Sequence, residues 1–188
     1  MSLYNLSNSV TDEIKNCLLK TDENSTLRLV KMIIDANSIF VDGRGRSRLM
    51  VQSFAMRLMQ LGLKSYVVGE TVTPAAEKND LVLIASGSGE TGTLVFTAEK
   101  IHDWKIPLAV ITIYPNSSIA KCADLVVCLH GVTAKGVATT EDVSKQMSGN
   151  LFEQSLLIYL DIVTTLIAEK KNISTDNASM MMRHANIE

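Results

Sequence analysis

Residues 80–91 read Asp-Leu-Val-Leu-Ile-Ala-Ser-Gly-Ser-Gly-Glu-Thr, an unbroken apolar run followed by a turn made mostly of small side chains. A strand with one face in water alternates apolar and polar residues; one covered by helices on both faces does not have to. The run from Asp80 to Ala85 therefore predicts an interior strand of a parallel sheet. The pattern repeats in both directions. Downstream come a helix over about 91–104, a strand at Pro107–Thr112, a short helix near Ser117–Ala123 and a strand at Leu125–Leu129. Upstream lie a strand at Ser38–Asp42 ending in Gly43-Arg-Gly-Arg-Ser47, a helix over about Arg48–Leu61, and a strand at Lys64–Val68. Strand-then-helix order throughout predicts a three-layer α/β/α sandwich around a five-stranded parallel sheet.

Two helical patterns precede it within residues 1–36, on Leu6, Val10, Ile14, Cys17 and Leu18, then on Leu27, Val30, Ile33 and Ile34. After a polar loop, His130–Ser148, a long helix is expected over about Asn150–Lys171, with apolar residues covering more than one stripe. Such breadth implies contact with both the sheet and a second surface, such as another subunit. Residues 172–188 form a tail, polar apart from Met180, Met181 and Met182. Without repeats or an internal linker, 188 residues read as a single domain.

Composition narrows the function classes. With 18 basic against 20 acidic side chains the net charge is −2, too little positive field to hold nucleic acid by bulk charge. Cys17, Cys122 and Cys128 are odd in number and form no Cys-x-x-Cys pair, and His102, His130 and His184 add no zinc spacing. The N-terminus lacks the basic-then-apolar pattern of a secretory signal, and no uninterrupted apolar run approaches the roughly 20 residues of a membrane helix. The expectation is a cytoplasmic protein with no metal, no membrane and no nucleic-acid partner.

Chemistry should gather at two loops, Gly43–Ser47 and Ser86–Thr91. Each leaves the C-terminal end of a strand and opens a helix, with glycines for close backbone approach, hydroxyls as donors, and free N–H groups at the helix start. In the flavodoxin-like strand order 2-1-3-4-5 both loops flank the topological switch point, where open α/β sheets bind ligands. Together they predict an anion site. A dinucleotide fingerprint fits poorly, because Arg48 stands where its third glycine belongs, and no Walker loop occurs.

At these residues the sequence resembles the sugar isomerase (SIS) domain family, and within it the 6-phospho-3-hexuloisomerases. Ser86–Thr91 is similar to the family's phosphate loop, and Ser47 holds the matching position after the first strand. Further blocks carry the likeness: residues 54–59 (Phe-Ala-Met-Arg-Leu-Met), 69–74 (Gly-Glu-Thr-Val-Thr-Pro), 151–154 (Leu-Phe-Glu-Gln) and 183–188 (Arg-His-Ala-Asn-Ile-Glu). The chain departs from the pattern at Arg48, where glycine is expected, and at Gln146–Asn150, where Gln-Pro-Met-Gly is expected. The resemblance implies a SIS fold and interconversion of D-arabino-hex-3-ulose 6-phosphate and fructose 6-phosphate through a cis-enediolate, without cofactor. It also implies a homo-oligomer, commonly a tetramer, and a link to hexulose-phosphate synthase in the ribulose monophosphate route of formaldehyde fixation.

Roles follow residue by residue. By resemblance Glu153 is the base, although Asn150-x-x-Glu153 alone also fits a helix capping box. By resemblance His184 serves the oxygens or ring opening, since an imidazole can both give and accept near neutrality. Its position alone also fits a frayed tail; a tail reaching over a neighbouring subunit's site would reconcile the two. Ser47, Ser86, Ser88 and Thr91 are the expected phosphate hydroxyls, the N–H groups around Gly45, Gly87 and Gly89 complete the cradle, and Arg46 either adds charge or is only a solvated side chain. Glu90 either meets sugar hydroxyls or caps its helix, and Glu70 either lines the cleft mouth or is solvated. His102 and His130 read as surface or packing residues, Met56 and Met59 as core filler. Two competing readings remain: a sugar-phosphate sensor without turnover, and an isomerase of another ketose or aldose phosphate.

Overall fold

The computed structural model describes residues 2–131 and 144–184. Part of the expected loop over His130–Ser148, and the last four residues of the tail, lie outside them. The chain opens with α1 (Leu3–Leu19) and α2 (Glu23–Asp35), both stopped from fraying by side-chain caps: Ser2 Oγ accepts from Asn5 N at 3.2 Å and Asp22 Oδ2 from Ser25 N at 2.7 Å. Then β1 (Ile39–Gly43), α3 (Arg46–Gln60), β2 (Ser65–Val67), β3 (Leu81–Ala85), α4 (Gly92–Asp103), β4 (Leu108–Thr112), α5 (Ser118–Lys121) and β5 (Leu125–Cys128) alternate. The long α6 (Asn150–Lys170) and a one-turn α7 (Asn177–Met181) close the chain.

All five strands are parallel, in the order β2-β1-β3-β4-β5. The order agrees with the sequence expectation, and element ends differ by one or two residues. Every residue of β1, β3 and β4 is buried, the reason Ile39–Val41, Leu81–Ala85 and Leu108–Ile111 are continuous apolar runs. Alternate side chains feed two separate cores. Val41, Leu83, Ala85 and Ile111 pack with Phe54, Leu58, Phe152, Leu156 and Val163 under α3 and α6. On the other face, Phe40, Val82, Ile84 and Val110 pack with Leu94, Ala98 and Ile119 under α4 and α5. At roughly 1.5–3 kcal/mol for each large side chain removed from water, these layers dominate the favourable side of folding.

By length and composition α6 could cross a membrane, yet half its apolar window is buried, against α3, α1 and α2. On its other side Ile158 and Ile162 are 40% and 43% exposed. One expectation is overturned. Met56 and Met59 are not core filler but 45% and 46% exposed, because Phe54, Ala55 and Leu58 already occupy the inward side of α3.

Candidate active site

Gly43 at the end of β1 is in register with Ala85 at the end of β3, so the two loops emerge side by side at the switch point. The first loop turns at Gly45, whose φ of +58° and ψ of −137° exclude most side chains, and α3 begins at the next residue. The second loop is held from behind by β4 and α5. Ile113 N donates to Gly87 O and Ile119 N to Gly89 O, both at 3.2 Å, while Ser86 N donates to Ile111 O at 3.0 Å. Glu90 completes the brace: its Oε1 accepts from Ser118 N at 2.8 Å, and this contact holds its carboxyl below the usual range.

Between the loops and the start of α6 lies a cleft of about 250 Å³. Arg44, Gly45, Arg46, Ser47, Ser86, Gly87, Ser88 and Thr91 line one side, and Ser148, Gly149, Phe152 and Glu153 the other. The helices meeting there, α3, α4 and α6, carry no side-chain cap, whereas α1, α2 and α7 are capped by Ser2, Asp22 and Asp176. Uncapped N-termini leave backbone N–H groups and partial positive charge for an anion.

Glu153 is drawn into this cleft from the first turn of α6. The helix cap is Gly149 at φ +92°, not Asn150, so the capping-box geometry is not formed. Instead the Glu153 carboxylate, 16% exposed, accepts a hydrogen bond from Arg46 Nε, 107 residues away in sequence. Two sequence candidates stand apart from the cleft lining. Glu90 faces α5, and His184 follows Arg183, whose guanidinium donates to Gln60 O at 3.0 Å at the end of α3 remote from Ser47. Glu70 is neither cleft lining nor merely solvated: it accepts from Arg48 Nη2 at 3.0 Å.

Sequence reasoning missed Asp42. It has no solvent exposure, and its Oδ1 accepts from Gly43 N at 2.8 Å and pairs with Arg44, with Arg48 Nη1 3.6 Å away. Its Oδ2 is buried without a partner. The available signal was an acid closing an apolar strand just before arginines at 44, 46 and 48. Among the described residues no three His, Cys, Asp or Glu side chains converge as a metal site.

The family model described as the SIS domain matches residues 32–152, from α2 through both loops to the start of α6. The chain belongs to the SIS-domain family. Curated relatives extend the likeness past Phe152 into α6 and the tail. The chain is 40% identical over 179 residues to the 3-hexulose-6-phosphate isomerase of Bacillus subtilis (strain 168), covering 95% of each. It is 35% identical over 179 residues to the enzyme of the same name from Mycobacterium gastri, covering 95% of this chain and 88% of that one. A hypothetical protein from Methanococcus jannaschii, whose crystal structure was taken to infer the same isomerase function, superposes with a TM-score of 0.81 at 34% identity over 98% and 99% of the two chains. In this SIS domain the switch-point cleft, the hydroxyl-rich loops and a carboxylate therefore coincide.

Proposed function

We propose that this SIS domain interconverts D-arabino-hex-3-ulose 6-phosphate and D-fructose 6-phosphate. The observation that carries the reading is Glu153, brought by α6 into the cleft that both loops line. Fold alone does not fix a reaction, but a carboxylate beside an anion cradle supplies what a ketose shift needs.

The phosphate binds Ser47, Ser86, Ser88, Thr91 and the loop N–H groups, with positive charge from Arg46 at the rim. That anchors the sugar so that its second and third carbons lie near Glu153. The carboxylate removes the proton from the second carbon of the 3-ulose, giving a cis-enediolate, and returns it to the third carbon. Meanwhile one proton passes from the oxygen of the second carbon to that of the third, the exchange assigned to His184. Atoms and charge balance without any cofactor. In the cell the assembly is a cytoplasmic homo-oligomer, a tetramer, with His184 reaching the cleft of a neighbouring copy. Its substrate comes from hexulose-phosphate synthase acting on formaldehyde and ribulose 5-phosphate.

The test is a coupled assay with ribulose 5-phosphate, formaldehyde and the synthase, following fructose 6-phosphate. The wild type is expected to turn over, and Glu153→Gln to lose about 10²- to 10⁴-fold in kcat, the usual worth of a general base. A wild type that binds fructose 6-phosphate but forms none would make the protein a sensor.

A further inference from the structure

Arg46 and Glu153 come from different elements and meet across the cleft, the arginine side chain 56% exposed and the carboxylate 16%. In this arrangement Arg46 Nε donates to Glu153 Oε2. A carboxylate oxygen held by a guanidinium has its charge offset and a lone pair occupied, so it is a poor acceptor for a proton on carbon. Arg46 also immediately precedes Ser47 in the anion loop and lines the same cleft as Ser86 and Ser88. A phosphate dianion there competes directly for the guanidinium, with twice the charge and a geometry that suits bidentate bonding.

The other rim arginine is not placed to take this part. Arg44 is engaged by the buried Asp42 and by Gly43 O at 2.8 Å. Arg46, exposed and held among the described residues only through its pair with Glu153, can exchange partners at little cost. We propose that Arg46 is a phosphate-sensitive latch on the base. With the cleft empty it masks Glu153; with a phosphoryl group bound it turns to the dianion and frees the carboxylate. This rests on Glu153 being the base of the proposed reaction. The latch spends binding of the non-reacting phosphate on chemistry at remote carbons, and so confines turnover to phosphorylated sugars. The ligand shifts the pair only because it favours the open arrangement over the masked one.

The experiment uses the unphosphorylated sugar, D-arabino-hex-3-ulose, with phosphite dianion as the separate anion, and follows fructose. Wild type should be slow alone and accelerate by about tenfold or more with saturating phosphite, the scale of one charge-assisted contact made or released. Arg46→Gln should exceed the wild type on the free sugar by about threefold or more, and its phosphite response should fall below about twofold. On the phosphorylated sugar the same variant should lose kcat/KM. Arg46→Lys, which keeps the charge but not the fork, should respond to phosphite between these extremes and serves if the glutamine variant does not fold. Free-sugar turnover in Arg46→Gln at or below that of wild type, or full phosphite activation in both variants, overturns the latch. Running Glu153→Gln on the phosphorylated sugar separates the failures: if it is inactive the base stands and only the latch falls, and if it is fully active the base assignment falls too.

Discussion

Asp42 and Arg48 explain one another. A carboxylate with no solvent exposure at the end of β1 is costly unless countered, and Arg48, standing where the family resemblance leads one to expect glycine, brings its guanidinium within 3.6 Å of it. The arginine does not crowd the loop because its side chain leaves along the sheet edge, donating to Val68 O at 3.0 Å and to Glu70. Burial pushes the Asp42 carboxyl above its ordinary range, against the lowering pull of Arg44, the Gly43 N–H and Arg48. A raised value means that, between the ordinary aspartate range and the folded one, the native chain binds more protons than the unfolded chain. Stability is then fully present below that window and falls as pH rises through it. Asp42→Asn, which keeps an acceptor for Gly43 N, should remove this loss: urea midpoints compared from about pH 4 to 7 should show the variant gaining on the wild type as pH rises. A variant that instead loses ground to the wild type as pH rises would mean the arginines outweigh burial.

Legibility at this scale followed sequence distance. Ser47, Ser86, Ser88 and Thr91 could be read locally because each sits in a short loop between a strand and a helix. The direction of Glu153 could not be read from its neighbours, because the contact that draws it into the cleft is with Arg46, 107 residues away. Asp42 was hidden by the same fact: its partners are meaningful only once β1, α3 and β2 are packed.

Among the elements, the loop between β3 and α4 is the most constrained. Gly89 has φ +63°, and a Cβ there would lie 2.0 Å from Ser117 Oγ and 2.4 Å from Ser117 Cβ. Both backbone strain and overlap penalise any side chain, so Gly89→Ala should cost roughly 2–5 kcal/mol, combining about 1–2 for the left-handed backbone with about 1–3 for overpacking. Adding Ser117→Gly removes the overlap with Ser117, leaving the strain and a tight 3.1 Å approach to Thr112 Oγ1. The double variant should recover about half of the loss in thermal or urea unfolding, and no recovery would assign the whole cost to the backbone. Strands were the easiest elements to read, since burial on both faces writes itself as apolar runs. The one-turn α7 was not foreseen, because its signal is a single Asp176 cap accepting from Ser179 N at 2.9 Å. The α3 methionines misled because apolar spacing marks a helix stripe without saying which stripe the core has room for.

For the whole molecule, the strand order 2-1-3-4-5 was legible because strand-helix alternation leaves few ways to wind a parallel sheet. What sequence could not place was the tail. Arg183 is tied to Gln60, and α3 separates Gln60 from Ser47 by about 20 Å at 1.5 Å per residue. His184 is therefore remote from the cleft of its own chain, and a catalytic role requires a second copy to bring it close. Exposed apolar side chains on α6 and the tail, Ile158, Ile162, Met181 and Met182, are of the kind a subunit contact would cover. Complementation decides the matter. Glu153→Gln and His184→Asn chains should each be nearly inactive, yet co-expression should regenerate sites that combine an intact Glu153 from one chain with an intact His184 from another. For random pairing about a quarter of the wild-type sites should return. If His184 served its own chain, every site would lack one group and mixing would restore nothing. An active His184→Asn homo-oligomer would remove the residue from the mechanism and leave the oxygen proton transfer to solvent or the substrate's own hydroxyls.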